Sequence, residues 1–264
     1  MKLNMRLTKI EKSMMNTYLL LTFSIAWGTE LLLILLYRLP LSSSAFLQVL
    51  YYIGLGFGCG MAPAYAAFIV ERKCHGMMLR SFLRKVIETH SMKRCLGVLL
   101  LFGLIQFCAC ALQERYTGNS WYLFVLFMPL MIYGGGLEEV GWQGILQPLL
   151  QKRFPFLIAV LIEGAVWSIW HLPLWFIPAS SQSTYSFAAF TLFCITLGAT
   201  LAAAHRITKS IWVSVLLHAW SNTVLGGMYT LTSLCSFPNM RTLTISVIQI
   251  LVVMGLAYLM KTKP

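Results

Sequence analysis

Residues 14–37 read MMNTYLLLTFSIAWGTELLLILLY, with Glu30 the one charged side chain in the run. About 20 apolar residues at a rise of ~1.5 Å each cross the hydrocarbon core of a bilayer. The apolar core of a secretory signal is shorter, about 7–15 residues, and no small-residue cleavage site follows here. The stretch therefore reads as an uncleaved first membrane span. Seven more apolar runs follow, at about 45–70, 95–112, 121–139, 157–176, 187–205, 211–231 and 242–260. The chain has 264 residues, 58% hydrophobic and 11% charged, against roughly 25% charged for a soluble domain. Mean hydropathy is +0.75. These values exclude disorder, a coiled coil and an ordinary soluble enzyme. The expected fold is all-α: a polytopic membrane bundle of about eight transmembrane helices, with residues 1–264 forming one integral-membrane domain.

The net charge is +12, and its placement matters more than its size. Lys2, Arg6, Lys9 and Lys12 precede the first span. Arg72, Lys73, Arg80, Arg84, Lys85, Lys93 and Arg94 follow the second, Lys152 and Arg153 the fourth, Arg206 and Lys209 the sixth, and Lys261 and Lys263 the last. Only Arg38, Arg115 and Arg241 fall on the opposite side of an eight-span layout. Such a bias puts both termini in the cytoplasm of a multi-pass, plasma-membrane protein. It also accounts for the basic charge through the lipid bilayer as partner, with no nucleic acid. Residues 76–90, GMMLRSFLRKVIETH, alternate apolar and basic residues at helical spacing. They read as one interfacial amphipathic helix. The seven cysteines show neither a disulfide framework nor a closed zinc pattern and read as small packing residues.

All eight acids are glutamate, which removes aspartyl-protease chemistry, since that needs an aspartate pair. Ionisable groups inside spans cost ~2.5–3.5 kcal/mol each on insertion scales and usually face a cavity or a partner. Three sets stand out. Glu138 and Glu139 follow Gly134-Gly135-Gly136 at the expected cytoplasmic end of the fourth span. Adjacent helical residues point about 100° apart, so one acid can face a cavity while the other braces it. His171 lies in Val166-Trp167-Ser168-Ile169-Trp170-His171-Leu172-Pro173, with Trp167 one turn earlier on its face and able to shield the imidazole. His218 and Asn222 are four apart, so imidazole and carboxamide share a helix face. Two donors aimed into one cavity suit an oxyanion; the same pair could equally glue two helices together. Glu163, eight residues before His171 and roughly on its helix face, is read first as interfacial and alternatively as a proton path or substitute partner for the cavity; Glu30 and His205 are read as structural or interfacial.

Paired acids, then aromatic-xxx-His, then His-xxx-Asn, on three helices of one bundle, resemble the CAAX prenyl protease and bacteriocin-processing (CPBP, or Abi) family of intramembrane endopeptidases. The likeness is carried by Glu138-Glu139-Val140-Gly141-Trp142-Gln143-Gly144, by Trp167 to His171 with Leu172-Pro173-Leu174, and by His218 to Asn222, within a core at 121–231. The resemblance implies a membrane-bound or lipid-modified peptide as substrate and no cofactor. It assigns Glu138 to activating a water and Glu139 to positioning or support. His171 assists with the water or the proton, and His218 and Asn222 hold the oxyanion. One position departs: the family's usual Arg, five residues after the first Glu, is Gln143 here. A guanidinium is replaced by a neutral amide, which leaves Glu139 without its expected ion-pair partner.

Two alternatives stay open at this stage. Two histidines and one carboxylate form a valid catalytic zinc set, here Glu138, His171 and His218, although no HExxH is present and the histidines lie on different helices. Alternatively, the chain is a weak or inactive scaffold, such as a bacteriocin self-immunity protein of the same fold.

Overall fold

The computed structural model describes residues 7–38, 45–120 and 122–260. Lys2, Arg6, Lys261 and Lys263, four of the basic residues counted above, lie outside these, as does residue 121. Helix α1 spans Lys9–Tyr37. Its start is fixed by a capping box in which the Thr8 hydroxyl accepts the Glu11 amide at 3.2 Å and Glu11 accepts the Thr8 amide at 2.8 Å. Two donors that a helix start leaves open are satisfied in this way. The second span is composite. α2 (Ala45–Ile53) passes through a π-helical stretch at Gly54–Gly60 into α3 (Ala62–His75). Short α4 (Leu79–Ile87) follows, then α5 (Met92–Gln113) and α6 (Tyr122–Tyr133). A 3-10 turn at Gly136–Glu138 leads into one turn of helix, α7 (Glu139–Gly141), a π turn at Trp142–Leu146 and α8 (Gln147–Arg153). The remaining helices are α9 (Phe156–Trp170), α10 (Phe187–Thr208), α11 (Ile211–Met228) and α12 (Met240–Leu259).

Among the described residues, seven helical segments are long and apolar enough to cross a membrane: α1, α2–α3, α5, α6–α8, α9 with the turn that follows it, α10 and α12. α11, the seventh of the eight expected spans, has 18 residues but carries Ser214, His218, Ser221, Asn222 and Thr223, and is not among these segments. Leu31, Leu32 and Leu35 of α1, Leu96, Leu100 and Leu104 of α5, and Ile248 and Leu251 of α12 all face outward. In water such surfaces would aggregate, whereas lipid tails cover them without cost. The chain is thus an integral membrane helical bundle.

Expected and observed boundaries differ at the fourth span. Its path does not stop at 139 but continues to Arg153. Val140, Trp142, Ile145, Leu146, Leu149 and Leu150 are buried along it. Glu138 and Glu139 therefore stand in mid-span and not at its end.

The basic residues gather at one end of the bundle. Lys152 pairs there with Glu11 of α1, Lys85 pairs with Glu71 at 2.6 Å, and the Ser210 hydroxyl donates to the Glu88 carbonyl at 2.7 Å. α4 packs on α3 and α11 at this end, with Phe82 and Val86 buried and Arg80 and Arg84 exposed, as the amphipathic pattern predicts. At the other end Glu114 ties the start of one loop to another. It accepts from the Thr230 and Thr232 hydroxyls at 2.8 Å each, and from the Thr232 and Ser233 amides at 2.9 and 2.8 Å.

α10 forms the middle of the bundle. Of its apolar window 67% is buried, against 22% for α1, and it packs on α5, α9, α11 and α12. Its run Gly198-Ala199-Thr200-Leu201-Ala202-Ala203-Ala204 supplies the small side chains that let neighbours approach. A comparable close approach seats α7: a side chain at Gly141 would collide with the Tyr18 hydroxyl and come within 2.6 Å of the Pro63 carbonyl.

Candidate active site

The site begins at the break between α6 and α7. Gly135 has φ 142°, a conformation that residues with a Cβ rarely adopt. A Cβ there would also strike the Asn222 carboxamide nitrogen and stand 2.9 Å from His218 Nε2. The backbone is thus pressed against the polar face of α11, where Asn222 Nδ2 donates to the Gly134 carbonyl at 3.0 Å. A triple glycine permits this turn, and the turn swings the acids that follow into the bundle.

The acids then diverge, as their adjacency requires. Glu138 faces α9, where Trp167 Nε1 donates to its Oε2 at 2.8 Å. Glu139 faces α11, with His218 Nδ1 2.9 Å from its Oε1. Glu138, Glu139 and His218 are only 6%, 1% and 3% exposed.

His171 caps the C-terminus of α9. Its Nδ1 lies 2.9 Å from the Trp167 carbonyl. A carbonyl only accepts, so Nδ1 carries a proton and Nε2 is the nitrogen left for other work. The ring stands edge-on to Trp170 and Phe190, at centroid distances of 4.6 and 5.1 Å. Trp167 therefore does more than the shielding expected of it. Its indole N–H orients Glu138, its carbonyl orients His171, and its ring packs on His218 at 5.2 Å.

Glu138, His171, His218 and Asn222 line one cavity of about 230 Å³. Glu139 lies behind His218, away from the wall. Met131, Phe193 and Leu225 close the apolar side, and Gln182, Tyr185, Leu231 and Leu234 belong to the end away from the basic loops. Such a chamber presents one carboxylate, one uncommitted imidazole nitrogen and two donors to a common volume in apolar surroundings, where each hydrogen bond counts for more than in water.

Residues 118–224 match the family model described as Type II CAAX prenyl endopeptidase Rce1-like. The resemblance read from the three motifs is borne out over this segment. A curated relative, CAAX prenyl protease 2 of Methanococcus maripaludis, is 37% identical over 59 residues, covering 22% of each chain. The aligned part is thus about a fifth of that relative's length. Glu138, Glu139, His171, His218 and Asn222 all fall within the Rce1-like segment.

Three sequence expectations need correction beside this segment. Glu139 has a partner despite the missing arginine, because His218 itself fills that place. Glu163 is not interfacial: it is 2% exposed and accepts from Gln143 Nε2 at 3.1 Å. Cys59 is more than packing, since its thiol lies 3.1 Å from Glu30 Oε1 and Glu30 is fully buried. Sequence reading named Gly135 and Gln143 without seeing what they touch. For Gly135 the signal was the triple glycine before two acids; for Glu163 it was the helix face shared with His171, which did not name Gln143 as its partner. Among the described residues, no group of three or more His, Cys, Asp or Glu side chains is placed to hold a metal ion, and Glu138, His171 and His218 do not form such a group.

Proposed function

We propose that the chain is an intramembrane endopeptidase that hydrolyses a peptide bond of a membrane-associated or lipid-modified peptide. The observation that carries this reading is the shared cavity: Glu138, His171, His218 and Asn222 converge on one volume inside an Rce1-like segment. Trp167 holds one oxygen of Glu138, and the other takes a proton from the attacking water. The water oxygen bonds to the scissile carbonyl carbon, and the carbonyl oxygen becomes an oxyanion. His171, with Nδ1 committed to a backbone carbonyl, offers Nε2 as acceptor to the same water and fixes its direction of attack.

His218 and Asn222 stabilise the oxyanion. A proton on His218 Nδ1 donated to the Glu139 carboxylate leaves Nε2–H as a charge-assisted donor once the ring is an imidazolium. Glu139 thus orients the imidazole and compensates its charge without touching substrate, much as the acid of a hydrolytic triad does. Asn222 has two N–H groups; one binds the Gly134 carbonyl, and the second serves the oxyanion. Glu138 then passes its proton to the leaving nitrogen and the C–N bond breaks; the new carboxylic acid gives the second water proton to the amine, so that a carboxylate and an ammonium leave and Glu138 is ionised again. Both protons of the water thus end on the leaving amine, and the reading needs no cofactor.

The basic end supports an orientation with both termini in the cytoplasm of a plasma-membrane protein. The test compares cells making wild-type protein with cells making Glu138→Ala at equal abundance, by mass spectrometry of newly created peptide termini. Termini found only with wild type name the substrate and its scissile bond. Identical sets, with both proteins folded, contradict the reading and favour a scaffold or immunity role.

A further inference from the structure

Behind the cavity, Gln143 stands between two carboxyl groups. Its Nε2 donates to Glu163 Oε1 at 3.1 Å, and Glu139 precedes it by four residues, about one helical turn. Gln147, with its amide nitrogen turned toward α9, donates to Glu163 Oε2 at 3.1 Å and to the Ala159 carbonyl at 3.3 Å. Gln143, Gln147 and Glu163 are 1%, 0% and 2% exposed. Glu139 Oε2 and Gln143 Oε1 have no hydrogen-bond partner among the described residues. None of the ion pairs among those residues includes Glu163.

Hydrogen-bond bookkeeping ties these facts together. An ionised Glu163 would be a buried charge with only amides around it, which proteins avoid. A protonated Glu163 is a donor that needs an acceptor, and Gln143 Oε1 is an unfilled acceptor. Glu139 Oε2 needs a donor. Which way an amide faces is assigned from its network, and turning over the Gln143 carboxamide meets all three needs. Glu163 O–H then donates to Gln143 Oε1, and Gln143 Nε2 donates to Glu139 Oε2.

We propose that Glu163, as a neutral carboxylic acid, is a positioning residue that holds Gln143, and that Gln143 in turn fixes Glu139 against His218. The chain of contacts runs from α9 through the π turn after α7 to α11. It touches neither substrate nor reacting atoms. Its consequence for catalysis rests on the function proposed above; its existence does not.

Two readouts test it. In difference infrared spectra of the purified protein, wild type should show the carbonyl band of a protonated carboxylic acid, and Glu163→Gln should lack it. No difference between the two would overturn the proposal. With the substrate named by the terminus experiment, Glu163→Leu should lower kcat about 100-fold through misplacement of Glu139 and His218, with KM unchanged. Glu163→Gln retains an N–H for Gln143 Oε1 and should recover most of that loss. A Leu variant as active as wild type, or a Gln variant as impaired as Leu, would sink the idea. If Glu163→Leu does not fold, Gln143→Leu carries the kinetic arm with the same expectation. A wild-type protein that cleaves nothing would refute the proposed reaction, while the spectrum would still decide the clamp.

Discussion

Two groups of glutamates in this bundle, one at the basic end and one at the break of the fourth span, are treated differently. At the basic end the buried Glu71, 4% exposed, takes Lys85 at 2.6 Å and His75 at 2.7 Å, and the part-exposed Glu11 takes Lys152. At the break of the fourth span Glu138, Glu139 and Glu163 are equally buried, yet no lysine or arginine pairs with them among the described residues. They receive an indole, an imidazole and two amides instead. A carboxylate beside a cation is stabilised and chemically quiet. One held only by hydrogen bonds in an apolar wall keeps the basicity that proton transfer needs. Proteins tolerate such uncompensated polar groups mainly where they serve a function.

Substitutions can break this contrast. The largest effect belongs to Glu138→Gln, which keeps the shape and the acceptor oxygen but removes the base. Turnover should fall about 10³-fold, measured on the substrate found by terminus analysis. His218→Ala and Asn222→Ala each remove one oxyanion donor and should cost about 10²-fold or more in kcat. Gly135→Ala adds a methyl group where Asn222 and His218 already lie in contact and should lower kcat about 100-fold by displacing them. An unaffected Gly135→Ala would show that the break does not set the site. At the other pole, Glu71→Gln should leave turnover alone and cost about 1 kcal/mol of stability, because Lys85 is partly solvated; a shift in Tm reads it. Smallest of all, chelators should leave turnover unchanged, because the proposed reaction uses only side chains.

The bundle was legible because hydrophobic burial in lipid writes itself along the chain. The run at 14–37 became α1, and the basic 76–90 stretch contains α4. The end of the fourth span was misjudged because Gly134-Gly135-Gly136 followed by two acids looks like a terminus. The structure uses it as an internal turn, and the helix resumes. The spacing of His218 and Asn222 was legible as a shared face, since it is local. What Glu139 and Glu163 touch was not. Those contacts join residues 79 and 20 positions apart, and nothing in local periodicity encodes which helices meet. Trp167 was seen for its ring, and its N–H could be assigned only once Glu138 lay opposite.

The most direct test sets the two poles side by side. Purified wild type, Glu138→Gln and Glu71→Gln are assayed for turnover and for Tm in one bilayer mimetic. The account predicts a crossover. Glu138→Gln loses turnover with Tm equal to or above wild type, because an uncompensated acid has been removed, and Glu71→Gln keeps turnover with a lowered Tm. Full turnover in Glu138→Gln would contradict the assignment of Glu138 as the base, and parallel losses of turnover and Tm in both variants would contradict the division between structural and functional acids.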